Sequence, residues 1–220
     1  MSKYNGNLFV AIEDNTRRVC KVPHCCHNRW RISGFCRKHT SRFNRYGHPE
    51  ARCIDDRHLT TCFDLVSKVI DKNLEHDGIR AGIRFFTMWL IQADATSNNP
   101  RSSLVPALRH MKRNYDSGVK AIDLLKVVAS VWLYYARGMS IGGERILNDE
   151  HNRRIMGLKV CKFTPIPKGV HYVYPKELRE AGAFIQKRIG VLLVNICQTV
   201  DQLEEAQQEI VKAMTSELQV

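Results

Sequence analysis

Beyond Pro49 the chain alternates between runs in which apolar residues return every three or four positions and short polar breaks, the pattern of amphipathic helices. Thr60 or Thr61 stands where a cap belongs for a helix reaching about His76. Its apolar stripe is Leu65, Val66, Val69, Ile70 and Leu74, and Asp77-Gly78 is its stop. A second helix follows to about Ala95, carrying Ile79, Ile83, Phe86 and Leu90, and Ser97-Asn98-Asn99-Pro100 is a loop. Ser102 or Ser103 caps a third helix with Leu108, Met111 and Tyr115 inward, ended by Ser117-Gly118. Residues 119–137 are strongly apolar. Ile122, Leu125, Val128, Trp132 and Tyr135 suit a central buried helix that Gly138 ends.

The pattern then changes. MSIGGERILNDEHNRRIMG accommodates a helix with a glycine-rich entry without demanding one. KVCKFTPI and VHYVYP flank Pro167-Lys168-Gly169, which reads as a β-hairpin over residues 158–174. Helix, ambiguous helix, hairpin is the order of a winged helix, with that hairpin as the wing. A long helix runs from about Lys176 to the end. Its stripe is Leu178, Phe184 or Ile185, Ile189, Leu192, Ile196, Val200, Leu203 and Ile210. The distal part, about 200–218, either packs on the chain's own core or reaches beyond it and pairs with a second copy as a homodimer.

Composition narrows the class. The chain has 220 residues, enough for one sizeable core or for a small module plus a larger domain. No window holds the ~18 uncharged apolar residues of a membrane span, which predicts no membrane partner. The N-terminal MSKYNGNLFVAIEDNTRR lacks the apolar segment of a secretory signal. The expected setting is intracellular, cytoplasmic and reducing, where clustered cysteines serve as metal ligands or free thiols. The net charge of +12 is uneven: residues 1–60 hold 12 Lys and Arg against 5 Asp and Glu, and residues 161–220 hold 7 against 7. The excess lies around the cysteines and points to a polyanion as partner.

Four residues near the N-terminus have the spacing of a zinc site: Cys20-x4-Cys25, ten residues, then Cys36-x2-His39. Zn²⁺ takes four N or S ligands in a tetrahedron, usually as two close pairs. Cys36 and His39 face one point if a helix starts there, and Gly34 stands where a tight turn into it belongs. Cys26 or His27 could replace Cys25. Cys53, His58 and Cys62, with His48, are a weaker second grouping. Cys161 and Cys197 each stand alone in apolar surroundings as small buried residues. A Cys3His site keeps no open position, so the metal is expected to be structural. Zinc binding is worth ~10–16 kcal/mol in small finger peptides and would supply folding energy to this segment.

The run C-x4-C-x10-C-x2-H, with Gly34 and the tail Ser41-Arg42-x-x-Arg45-Tyr46-Gly47-His48-Pro49, resembles a small zinc-binding module. That module is found at the N-termini of phage and mobile-element DNA-binding proteins, some HNH-type endonucleases among them, and is distantly WRKY-like. The resemblance covers about residues 18–50. It implies Cys20, Cys25, Cys36 and His39 as ligands and zinc as the ion. The chain departs from the family at His24, where glycine is frequent, and at His48, where aspartate is frequent.

The surrounding cations then take a geometry. On a helix from Cys36, Lys38, Arg42 and Arg45 fall on one face, and Phe43 and Tyr46 on another, able to pack on Trp30 or Phe35. Arg29, Arg31 and Arg37 extend the basic patch. Arg109, Lys112 and Arg113 form a second one on the outer face of the third helix. The plain alternative is a solvated cationic surface that keeps the module soluble.

The expected organisation is mainly α: an arm over 1–17, a zinc-binding basic module over 18–52, and a helical domain with one hairpin over 58–220. The expected function is non-catalytic DNA binding of phage or mobile-element type, in transcription or replication control. Two alternatives stand beside it. One is a metal-dependent HNH-like nuclease, for which His151-Asn152 is the adjacent pair. His151 reads instead as a surface or boundary residue, with Asp149 and Glu150 at a helix start. The other is a phage-encoded protein that grips a host protein, its zinc purely structural.

Overall fold

The apolar periodicity is realised as helices throughout. The computed structural model describes residues 4–96, 107–138, 149–166 and 174–217. Among them lie α1 (Tyr4–Thr16), α2 (Arg37–Tyr46), α3 (Asp56–Lys72), α4 (Asp77–Ala95), α5 (Leu108–Asp116), α6 (Ala121–Ala136), α7 (Asp149–Cys161) and α8 (Pro175–Glu217). Helices α3 to α8 share one core, in which α6 touches α3, α4, α7 and α8. Leu124, Leu125, Val128, Ala129, Val131 and Leu133 of α6 are sealed from water, as a helix apolar nearly all round requires.

Helices α7 and α8 pack most closely. A side chain at Gly157 would overlap the Leu178 carbonyl, and one at Gly182 would overlap the Arg153 carbonyl, so glycine lets the two backbones touch. Phe85, Phe86, Trp89 and Phe184 form an aromatic cluster between α4 and α8, with centroids 4.9–6.1 Å apart.

Several boundaries differ from the sequence reading. Asp77-Gly78 opens α4 instead of closing the preceding helix, because the His76 ring accepts the Gly78 N–H at 3.1 Å and caps the new helix. Helix α3 therefore ends at Lys72, and Leu74 is exposed. In α5, Tyr115 points outward while His110, Met111 and Asn114 are buried. Asn114 is used as a clasp: it donates to Val160 O at 2.9 Å and accepts from the Thr164 hydroxyl at 2.9 Å, closing the end of α7. The predicted helix caps Ser102 and Ser103 lie outside the described residues. Gly118 and Gly138 sit in the left-handed region, at φ of 70° and 60°, and end α5 and α6 as expected.

The hairpin is the main correction. Its first arm is helical as far as Cys161, and among the described residues there is no strand, only an isolated bridge between Val19 and Asn28. Val160 and Cys161 are both fully buried, where a two-residue alternation would place one of them outside, so tertiary packing overrode the local β preference. With the first arm helical, the described residues contain no wing. The other arm, over 170–173, lies outside the described residues.

Helix α8 is anchored as far as Val200 by Leu178, Ile185, Ile189, Leu193, Ile196 and Cys197. Beyond it, Leu203, Ile210 and Val211 are exposed, and Arg137 holds the emerging segment through Asp201 at 2.8 Å and through Glu204. No helix among the described residues is long and apolar enough to cross a membrane.

Candidate metal centre

The first ligand pair lies on a folded-back strap. Cys20 N–H donates to His27 O at 2.9 Å and Arg29 N–H to Arg18 O at 2.9 Å, so residues 18–20 run against 27–29. The turn between them is completed by Cys25 N–H to Val22 O and by His24 in the left-handed conformation at φ 59°. Glycine would be at ease there, and histidine is one of the few side chains that tolerate it. The second pair comes from α2, for which Cys36 is the N-cap and His39 the third residue, which turns both inward. Gly34 is not in the left-handed region; that geometry falls to Arg31, at φ 51°. What Gly34 provides is room, since a side chain there would press on Lys21 at 3.0 Å.

These paths bring Cys20, Cys25, Cys36 and His39 together, with all four ligand atoms within 4.8 Å of one another. His39 Nδ1 is 3.4 Å from both Cys20 Sγ and Cys36 Sγ, and Cys25 Sγ is 3.9 Å from Cys36 Sγ. None of the cysteines is in a disulfide. Cys26 and His27, the alternatives to Cys25, are both exposed and stand outside the cluster. A tetrahedral ion with bonds of about 2.3 Å to sulfur and 2.0–2.1 Å to nitrogen has edges of about 3.8 Å between sulfurs and about 3.6 Å from sulfur to nitrogen. The three separations above lie close to those edges, and the cluster could hold a metal.

The electrostatics favour the ligating forms of His39 and Cys20 but not of Cys25. Burial, then Arg42 and Lys38, push the His39 pKa down, which favours the neutral imidazole. Burial pushes the Cys20 thiol up, but this is outweighed by the Val22 and Cys36 backbone N–H groups and by the neighbouring thiols, so its pKa falls. The Cys36 N–H lies 3.3 Å from Cys20 Sγ and orients it. The Cys25 pKa rises, because the lowering by the His27 backbone is outweighed by desolvation and the other two sulfurs. Among the described residues no second cluster of this kind forms. Cys62 is sealed in the helical core and Cys53 is half-buried. Burial pushes the Cys161 and Cys197 thiols up to about 12, as suits inert core residues.

Residues 17–49 carry nine Lys and Arg and no carboxylate. Arg29 is consumed locally: its Nε donates to Val19 O at 2.9 Å and an Nη to Asn15 Oδ1 at 3.3 Å. Arg31 and Arg37 lie over the Trp30 ring at 5.3 and 5.2 Å. Arg45 lies over Tyr46 at 6.0 Å. Lys38 projects from the first turn of α2, Arg42 is half-exposed, and neither forms an ion pair among the described residues. The two aromatics of α2 divide the work. Phe43 packs on Phe35 at 5.5 Å, and Tyr46 reaches the helical core beside His151.

The second basic cluster has a different character. Arg109 pairs with Glu177 at 2.5 Å, Lys112 with Asp94 at 2.9 Å and with Asp116, and Arg113 donates to Cys161 O at 2.5 Å. Their charges are spent inside the molecule, and Arg113 neutralises the carboxyl end of α7.

Two residues tie the module in place, Asn15, which sequence reasoning passed over, and His151, which it placed at the surface or a boundary. Asn15 of α1 donates to Arg31 O at 2.6 Å and to Ser33 O at 2.7 Å, clasping the strap. His151 is buried, not a surface residue. Its Nδ1 accepts from the Tyr135 hydroxyl at 2.9 Å and its Nε2 lies 3.2 Å from Arg52 O, which assigns the proton to Nε2. Both ring nitrogens are thus engaged and none faces a site for water activation. Neither residue's contacts have a sequence signal, because the partners are distant along the chain. Comparison with protein-family models, with curated proteins and with solved structures finds no match to this chain.

Proposed function

We propose that this chain binds DNA through a zinc-stabilised module and does so without catalysis, as a transcription or replication factor of the phage or mobile-element kind. The observation that carries the reading is the coincidence of a closed four-ligand cluster with a stretch of nine cations and no carboxylate. Three sulfurs and one imidazole are a donor set suited to Zn²⁺, and four protein ligands leave no position for a reacting water. The role left to the ion is to hold the strap against α2 and so fix the cations of both on one small surface. Arg31, Arg37, Lys38, Arg42 and Arg45 are the phosphate contacts; Arg109, Lys112 and Arg113, already paired, are secondary.

The test is metal analysis followed by DNA binding across a salt series. One equivalent of zinc is expected, with affinity falling linearly in log salt. Arg42→Ala combined with Arg45→Ala should reduce the slope by about 2, since each phosphate neutralised on duplex DNA accounts for about 0.9. An unchanged slope moves the contact surface elsewhere, and no binding even at low salt returns the chain to the class of protein-binding modules. Nicking of plasmid in magnesium would overturn the non-catalytic part.

A further inference from the structure

Beside the metal cluster lies an open groove of about 860 Å³, bounded by His27, Asn28, Trp30, Arg37, Lys38 and Ser41. Its volume falls in the range of roughly 300–1,000 Å³ typical of small-ligand sites. Thr16, Arg29 and Cys36 complete its lining, which thus offers one aromatic face, three cations, the polar side chains of Thr16, His27, Asn28 and Ser41, and no carboxylate. Trp30 is 39% exposed, whereas Trp89 is 1% exposed. An indole is costly to leave in water, and this one is held there by the backbone. Trp30 N–H donates to Phe35 O at 2.8 Å and Ser33 N–H to Trp30 O at 2.9 Å. The following residue, Arg31, is fixed in its left-handed turn by the Asn15 clasp. The ring therefore stands on the rim of the groove by construction.

We infer that this groove takes an unpaired nucleotide of a DNA strand, its base stacked on Trp30 and its flanking phosphates on Arg37 and Lys38, so that the chain prefers single-stranded or locally opened DNA to intact duplex. The inference rests on the DNA-binding reading above and adds the strand state to it. A base in a duplex is stacked on its neighbours and cannot offer its face to a side chain, whereas an unpaired base can, whatever its identity. Arg31 and Arg37 now cover the indole, but an exposed cation–π contact is worth less than a base stack, so they yield to a base or stack on its outer face. Asn28 and Ser41 supply neutral hydrogen-bonding groups for a base edge.

The experiment uses the full zinc-loaded chain with an oligothymidine and with a duplex of the same length. The single strand should bind more tightly and quench the emission of Trp30, the exposed tryptophan. Trp30→Ala should weaken oligothymidine binding about tenfold and duplex binding little, while zinc content stays at one equivalent; Trp30→Phe, which keeps a stacking face, should restore most of the loss. Equal affinity for both forms, with Trp30→Ala changing neither, overturns the inference and leaves the DNA-binding reading standing. Binding of neither form removes that reading as well. Displacement of the oligothymidine by polyglutamate of equal charge, at equal concentration, would reduce the groove to a cation patch and overturn the stacking role.

Discussion

Residues 18–50 and the body formed by α3 to α8 exclude water from an interior by different means. Among the described residues the body buries 33 side chains in one cluster. The module's own cluster holds three, Cys20, Val22 and Cys36, and two of those are candidate metal ligands. Fixing one residue's backbone opposes folding by about as much as burying one apolar side chain favours it. A cluster of three side chains cannot order some thirty residues. The difference teaches where each region keeps its stability: the body in packing spread over many side chains, the module in the one point where its four candidate ligands converge.

The sharpest way to break that comparison is Cys36→Ser. Serine is a good N-cap, so α2 keeps its start while the site loses a sulfur. The module should lose a stabilisation on the order of 10–16 kcal/mol, release its metal and lose amide-exchange protection over residues 18–46, while the body stays folded. One equivalent of metal retained in the variant would show that the ligand set is wrong. The complementary change is Phe86→Ala. Phe86 is fully buried among Phe85 and Trp89, and its truncation should destabilise the body by about 3–5 kcal/mol in denaturant titration. Metal content should not change. Coupled loss of metal would mean that the module borrows its stability from the body through the Tyr46–His151 pair.

The same contrast explains what the sequence makes legible. The metal cluster is local: four ligands within twenty residues, with a spacing that a hairpin and a first helical turn satisfy without help from elsewhere. The long stripe of α8 and the apolar α6 are legible because each repeats one period over many residues. What escapes is decided at long range. The residues from Lys159 on look like a strand until Val160 and Cys161 are both needed by the core. Arg109 looks like a free cation until Glu177, 68 residues away, comes beside it. Whether Asp77-Gly78 stops a helix or starts one depends on how the His76 ring turns. Patterning locates helices; partners decide their ends and the fate of their charges.

Glu177 offers a smaller test within the body. It is the third residue of α8, after Pro175 in the first position, and it reaches back to accept the Tyr174 N–H at 2.9 Å. It also pairs with Arg109 at 2.5 Å and with His110 at 3.4 Å. Burial pushes its pKa up, but the bonds from His110 and Tyr174 and the charge of Arg109 outweigh that and hold it below the ordinary 4.5. A depressed carboxyl pKa stabilises the fold above the ordinary value, and that contribution is lost as pH falls through it toward the folded value. Glu177→Gln should therefore cost about 1 kcal/mol near neutral pH, with metal content untouched. The gap between variant and wild type should close below pH 4.5. A gap that is constant with pH would mean that the amide loses shape complementarity and not charge.

The smallest expected effect returns to the module and carries the opposite sign. His24 is exposed and sits at φ 59° between the two ligands of the strap. A side chain in that conformation costs about 1–2 kcal/mol relative to the right-handed region. Glycine avoids most of this while giving back part through its freer unfolded chain. His24→Gly should thus stabilise the metal-bound module by about 0.5 kcal/mol, read as roughly a twofold gain in resistance to a competing chelator, with the body's unfolding unchanged. The alternative is chemically distinct: an imidazole next to Cys25 could serve as a transient ligand when the ion enters or leaves. If so, glycine would speed metal loss even as the turn relaxes, and the rate of chelator capture, compared with its endpoint, separates strain from ligation.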